Sequence, residues 1–318
     1  MYLRGIDFGH VFCASGARNF DGNGWPFHKL FKVGDWLNFA GSTLVTKTTT
    51  LDPRVGNMPL EDDGLTPQEL KPKCVIVKPF RGVVLNSVGL SGPGARFLLA
   101  QGFWQRQTDP FFISFMSTSK TATDRQTELH QFVELLKAAL PEFKAPIGLQ
   151  INISCPNTNH DLKELIGDVV NFLGIAESLG VPIVIKLNAL TPIESLFSFM
   201  NHPALDAIAC SNTIPWGQLP EWVDWKGLFG SNTSPLAHLS GGGLSGAPLL
   251  PIVTNWIVQA RTDGWIKPII GGGGILSKQD ASRMLEVGAD AVEIGSCAIL
   301  RPWRVRGIIQ HVNILKGG

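Results

Sequence analysis

Short apolar, β-branched runs alternate along the chain with longer amphipathic stretches. The strand-like runs cover residues 11–16, 43–47, 111–115, 148–154, 182–187, 207–212, 268–271 and 291–295. They are apolar almost throughout rather than strictly alternating, the pattern of strands covered on both faces in a parallel sheet. Between most of them lie helical patterns, at 123–140, 162–179, 193–201, 248–262 and 278–287. Eight such strands with intervening helices predict an α/β fold, a closed (β/α)8 TIM barrel, with residues 1–318 forming one domain. The rival is an open doubly wound sheet. It wants a G-x-G-x-x-G turn after the first strand, and none stands there.

Two stretches break the alternation. Residues 51–89 hold prolines and a ninth strand-like run at 83–88, and read as an insertion after the second strand. Residues 214–239 hold Trp216, Trp222 and Trp225, and read as a long loop after the sixth. Loops of this length serve either as lids over a site or as capping and subunit-contact segments, and the pattern leaves both open.

Composition narrows the class. The 318 residues are 44% hydrophobic and 17% charged, enough for a large core, and the net charge is only +1. No basic stripe is present, which argues against nucleic acid, and no apolar run of about 18 residues suggests a membrane span. The opening residues lack the pattern of a signal peptide. The five cysteines, Cys13, Cys74, Cys155, Cys210 and Cys297, are scattered and form no C-x-x-C. That argues against structural zinc, an iron–sulfur cluster or a disulfide framework, and a cytoplasmic chain with no metal site is expected.

The candidate chemistry sits where the strands end. In a barrel of this kind catalytic groups gather at the C-terminal ends of the strands. Here those ends carry Lys47, Asn152 through Cys155 and Asn157, Lys186, Ser211-Asn212-Thr213, the run Gly271 to Gly274, and Gly295-Ser296. A single lysine after a strand ordinarily reaches solvent, and a single asparagine ordinarily forms a turn. Lysines and asparagines closing several apolar strands are costly unless they meet a polar ligand or one another. Together they suit a flat heterocycle bearing carbonyls and a carboxylate. Glycines recur at 241–246, 271–274 and 295, where bare backbone N–H groups can cradle a phosphate, as loops after the last two strands of such barrels commonly do.

These motifs resemble the dihydroorotate dehydrogenase family over nearly the whole chain. The most specific match is Asn152-Ile-Ser-Cys-Pro-Asn157; Ala14-Ser15-Gly16, Thr46-Lys47-Thr48, Asn86 through Gly89 and Leu90, Lys186, Ser211-Asn212-Thr213, Gly242 to Gly246, Gly271 to Ile275 and Gly295-Ser296 follow in order. The resemblance implies FMN as cofactor and oxidation of dihydroorotate to orotate, a step of pyrimidine biosynthesis. Cys155 would remove the C5 proton while hydride passes from C6 to the flavin, and Lys186 would steady the reduced ring. The substrate would meet Lys47, Asn86, Gly89, Leu90, Asn152, Asn157, Asn212 and Thr213. The flavin would lie against Ala14, Ser15, Gly16, Lys47, Thr48, Ser114, Asn152, Lys186, Gly246, Gly273, Gly274, Gly295 and Ser296. Cysteine at position 155, with no amphipathic extension ahead of the barrel, is similar to the soluble branch, whose members suggest a homodimer and pass electrons to fumarate or to an NAD-linked partner subunit. Three departures stand out: a short segment before Ala14, a different loop after Asn157, and the tryptophan-rich stretch. Alternatives remain: an FMN enzyme for another dihydropyrimidine such as dihydrouracil, a non-catalytic flavin-binding subunit, and a tRNA dihydrouridine reductase, for which a basic face is missing.

Overall fold

A computed structural model describes residues 1–32, 34, 36–154 and 162–317. Fourteen strands are seen among them: β1 Tyr2–Leu3, β2 Ile6–Asp7, β3 Val11–Cys13, β4 Thr43–Leu44, β5 Val75–Lys78, β6 Val83–Asn86, β7 Phe111–Phe115, β8 Ile147–Asn152, β9 Ile183–Leu187, β10 Ala207–Cys210, β11 Ile214–Pro215, β12 Gly243–Gly246, β13 Ile269–Gly272 and β14 Ala291–Ile294. Eight of them form one parallel sheet in the order β4-β3-β14-β13-β10-β9-β8-β7. Parallel bridges Val45–Phe112 and Thr49–Phe115 join the two ends, so the sheet closes on itself. All eight fall within the predicted runs or a residue outside them. Closure rules out the open doubly wound sheet.

The apolar runs are explained by what surrounds them. Every residue of β7, β8, β9, β10, β13 and β14 is buried. Outward side chains such as Leu149, Ile151, Ile185 and Ile208 join the large core under the helices. Inward ones, Phe12, Val45, Phe112, Val184, Ala209, Ile270 and Ala291, fill the lower barrel, and Met1, Leu3 and Phe8 from the β1–β2 hairpin plug it from below. Each such large apolar side chain contributes about 1.5–3 kcal/mol. Gly148 is required here, because a Cβ on it would come within 2.2 Å of the Phe112 ring.

The helices follow their patterns with informative exceptions. Helix Ala122–Ala139 starts at Thr121, whose side chain accepts from the Asp124 N–H, and helix Lys278–Glu286 starts in the same way at Ser277. The stretch expected as one helix over 162–179 is divided into Leu162–Gly167, Val169–Ala176 and a 3-10 turn at Glu177–Leu179. At the first break Asp168 accepts a 2.7 Å hydrogen bond from Nε of buried Arg125. The helix expected over 193–201 keeps only Ile193–Leu196. No helix among the described residues is long and apolar enough to cross a membrane.

Beside the barrel lies a second sheet, antiparallel, in the order β11-β12-β6-β5. The insertion supplies β5 and β6, and the region after β10 supplies β11 and β12. Residues 243–246, expected as a glycine loop leading into a helix, are therefore a strand, paired with 83–86 from Gly243–Asn86 to Gly246–Val83. The tryptophan-rich stretch packs on itself beside this sheet. Trp216 lies 4.7 Å from Trp225 and 5.1 Å from Phe229 between ring centroids.

Candidate active site

A cavity of about 720 Å³ opens at the C-terminal ends of the barrel strands. Its floor is barrel: Ala14, Lys47, Thr48, Asn152, Lys186, Asn212, Gly272 and Glu293. Its side wall is the antiparallel sheet, through Val75, Val77, Val84, Asn86 and Ser245. The insertion and the long segment after β10 are thus joined in building one wall, which is why neither reads as an ordinary barrel connection.

Hydrogen bonds order the floor. Thr48 Oγ1 lies 2.8 Å from Ser15 Oγ and 2.9 Å from Ser114 Oγ, and Asn152 Nδ2 approaches it at 3.4 Å. Asn152 Oδ1 accepts from Asn212 Nδ2 at 2.8 Å, and the same amide donates to Ser154 Oγ at 2.8 Å. Ser154 Oγ in turn donates to the Lys186 carbonyl at 3.2 Å. The ends of six barrel strands, β3, β4, β7, β8, β9 and β10, are tied together in this way. Lys47 donates to the Ser91 carbonyl and sits 4.6 Å from the centre of the Phe20 ring. That anchors its buried ammonium while leaving it in the cavity lining. Asn86 Nδ2 reaches the Gly243 carbonyl at 3.5 Å.

Lys186 is met by a group the strand-end reading passed over. Its Nζ donates to Glu293 Oε2 at 2.6 Å, and both residues are 3% exposed. The other oxygen, Glu293 Oε1, is buried with no hydrogen-bond partner among the described residues. The signal was present: one acid inside the apolar run Ala-Val-Glu-Ile, two residues before Gly295. The strand's end was read from Gly295-Ser296 alone. Trp25, Pro26 and Phe27 also line the cavity without having been singled out. Trp25 is fixed by its indole, which donates to the Gly16 carbonyl at 2.7 Å.

Most residues picked from the sequence meet here. Ala14, Ser15, Gly16, Lys47, Thr48, Asn86, Gly89, Leu90, Asn152, Lys186, Asn212, Thr213, Gly273, Gly274, Gly295 and Ser296 all line the cavity. Ser114 is fully buried behind Thr48. Gly246 is placed in β12 outside the lining, and a Cβ on it would fall 2.1 Å from the Gly82 carbonyl. Its glycine serves the close approach of two strands. Cys155 and Asn157 lie outside the described residues. Gly273 and Gly274 are required by close packing on helix Leu249–Thr262: a Cβ on Gly274 would meet the Leu250 N–H nitrogen at 2.6 Å, and one on Gly273 would meet Val253 at 2.9 Å. Both also line the cavity, where their backbone can face an oxyanion.

The other described cysteines, Cys13, Cys74, Cys210 and Cys297, are all buried. Burial raises each thiol above its ordinary range, Cys297 to about 12.

Comparison with known proteins agrees with this arrangement. Residues 4–315 match the family model described as dihydroorotate dehydrogenase. The chain is 29% identical over 282 residues to the catalytic subunit of dihydroorotate dehydrogenase B (NAD(+)) of Endomicrobium trichonymphae, covering 86% of this chain and 80% of that one. It is 30% identical over 292 residues to dihydroorotate dehydrogenase A (fumarate) of Lacticaseibacillus paracasei, covering 89% and 88%. In fold it is similar to the crystal structure of ligand-free type DHODH from Eimeria tenella, with a TM-score of 0.69 at 19% identity, over 100% of this chain and 87% of that one. A match running from residue 4 to residue 315, on a closed barrel with its polar groups gathered at the strand ends, makes this chain a member of the dihydroorotate dehydrogenase family.

Proposed function

We propose that the chain binds FMN in the barrel-mouth cavity and oxidises dihydroorotate to orotate. The observation that carries this reading is the convergence of Lys47, Asn86, Asn152, Lys186, Asn212 and Thr213 on one buried cavity. A carboxylate with two ring carbonyls and two ring N–H groups can use that mixture of cations and amides. A carboxylate-free dihydropyrimidine leaves part of it idle.

The residues fit the cofactor on two counts. Gly273, Gly274, Gly295 and Ser296 line one rim of the cavity, where backbone N–H groups could meet a phosphate. Glu293, which lines the cavity, has one oxygen, Oε1, buried without a partner among the described residues, and a ring N–H could satisfy it. FMN, when bound, supplies the acceptor for the hydride that leaves the substrate ring. Lys186, in the cavity lining, would set its ammonium against the bound ring and favour the negative charge that reduction brings. Asn152 and Asn212, each fixing the other, present preset donors and acceptors. Cys155, three residues after Asn152, is the proposed base for the C5 proton. A thiol of ordinary pKa near ~8.5 is mostly protonated at pH 7, so substrate-driven reduction should speed up towards pH 8 to 9. For the second half-reaction, the relatives named as catalytic subunits of an NAD(+) enzyme support an electron-transfer partner subunit.

Anaerobic titration tests the proposal. The purified protein should be yellow, and stoichiometric dihydroorotate should bleach it while dihydrouracil does not. Bleaching by dihydrouracil alone would transfer the reading to another dihydropyrimidine. A yellow protein that neither compound bleaches would be a binding subunit. Rapid recolouring by fumarate would remove the need for a partner.

A further inference from the structure

We infer that Glu293 is a positioning residue that balances the charge of Lys186 and so sets the reduction potential of the bound flavin; this rests on the FMN reading above. The two lysines of the cavity are not equivalent. Lys47 donates to a carbonyl and lies over an aromatic face. Lys186 is held at 2.6 Å by a carboxylate as buried as itself, from the strand 107 residues further on. Reading the cavity as two cations facing a ring therefore overstates its positive field.

Two further observations show that the acid is accommodated there by construction. Gly272 is the register partner of Glu293 on β13. A Cβ at Gly272 would lie 2.9 Å from the Glu293 Cβ and 3.2 Å from its Oε2, so the neighbouring strand leaves the room in which this carboxylate sits. Glu293 lines the cavity, and its Oε1 is buried with no partner among the described residues. A buried carboxylate oxygen without a donor is costly, and a ring N–H entering the cavity would supply one. The acid thus gives one oxygen to the lysine and leaves the other unsatisfied.

The consequence is electrostatic. Reduction places negative charge on the ring, and a lone buried ammonium would favour it strongly. The Glu293 carboxylate opposes it through the same low-dielectric space. The native flavin should therefore be harder to reduce than Lys186 alone would make it.

The experiment measures the reduction potential of bound FMN in the wild-type protein, Glu293→Gln and Glu293→Asp, by equilibration with reference dyes. Glu293→Gln should shift the equilibrium at least tenfold towards reduced flavin, ~30 mV for a two-electron couple. Glu293→Asp, which keeps the charge, should stay within threefold of wild type. An unmoved or lowered potential in Glu293→Gln, or equal shifts in both variants, overturns the inference while a yellow, bleachable wild type leaves the proposed function standing. A wild-type protein that binds no FMN overturns both. If Glu293→Gln loses its flavin or its fold, thermal midpoints decide. Removing one partner of a buried pair exposes the other to full desolvation, whereas removing both relieves it. The double variant Lys186→Gln with Glu293→Gln should then recover at least half the lost midpoint. Additive losses would show that the pair is not a unit, and the inference would fall.

Discussion

At the scale of single residues, the four described cysteines and the fifth make opposite predictions. Cys13, Cys74, Cys210 and Cys297 are all 1% exposed or less. Burial raises every one of their thiols, and the thiolate is the reactive form. Brief exposure of the native protein to iodoacetamide at pH 8 should therefore leave these four untouched, and a Cys155 that serves as the proposed base should be the cysteine labelled, as peptide mass spectrometry would show. Labelling of Cys210 or Cys297 at a comparable rate would contradict the packing described. The same shifts carry a pH sign. A thiol whose native pKa is raised above its ordinary value contributes stability that is complete below that ordinary value. It is lost as pH climbs towards the native value of about 12 for Cys297, so the denaturation midpoint should fall above pH 9. Residue types at strand ends were legible from the sequence because lysine and asparagine are conspicuous in an apolar run. Glu293 was equally conspicuous and still missed. Its meaning depends on Lys186, a partner 107 positions away that only barrel closure brings near.

At the scale of elements, the parallel strands were readable because burial on both faces leaves continuous apolar runs, and the barrel's eight strands are all of that kind. The helices were less exact wherever a tertiary contact decides an end. Asp168 is the clearest case. Arg125, from helix Ala122–Ala139, is 2% exposed, donates to Asp168 at 2.7 Å and to the Lys120 carbonyl at 2.6 Å, and lies 3.8 Å from Glu164. One buried guanidinium thus ties the long helix to both short helices that follow β8. No periodicity in residues 162–179 announces this, since the aspartate is placed by its partner and not by the helix's own pattern. Arg125→Met keeps the side chain's bulk but strands Asp168 in the interior. Breaking a buried pair on one side costs about 3–5 kcal/mol, which urea denaturation should register as a clear drop in midpoint. Removing the aspartate as well, in Arg125→Met with Asp168→Leu, should restore much of the loss. A single variant as stable as wild type would show the pair to be incidental.

At the scale of the whole molecule, the cavity is built by two sheets of different kinds with different origins in the sequence. The parallel barrel is local in pattern and could be foreseen. Of the antiparallel wall only β6 was legible, within the strand-like run at 83–88; its pairing was not, because β6 and β12 are about 160 residues apart and β12 is half glycine, so it shows no strand propensity of its own. What makes β12 a strand is the space its glycines leave. Gly246, at φ 111°, would place a Cβ 2.1 Å from the Gly82 carbonyl and 2.9 Å from the Val83 Cα. Gly246→Ala must therefore push β6 and β12 apart at the end nearest the barrel, with backbone strain of order 1–3 kcal/mol in addition to the clash. The eight parallel strands share no hydrogen-bonded edge with this wall, so they should survive the change. The expected outcome is a protein with near-native far-ultraviolet circular dichroism that has lost affinity for its cavity ligand by tenfold or more, since Val84, Asn86 and Ser245 all leave their places together. Equilibrium dialysis of FMN against wild type and variant measures this directly. Unchanged affinity would mean that the wall is dispensable, and collapse of the circular dichroism would mean that barrel and wall fold as one unit.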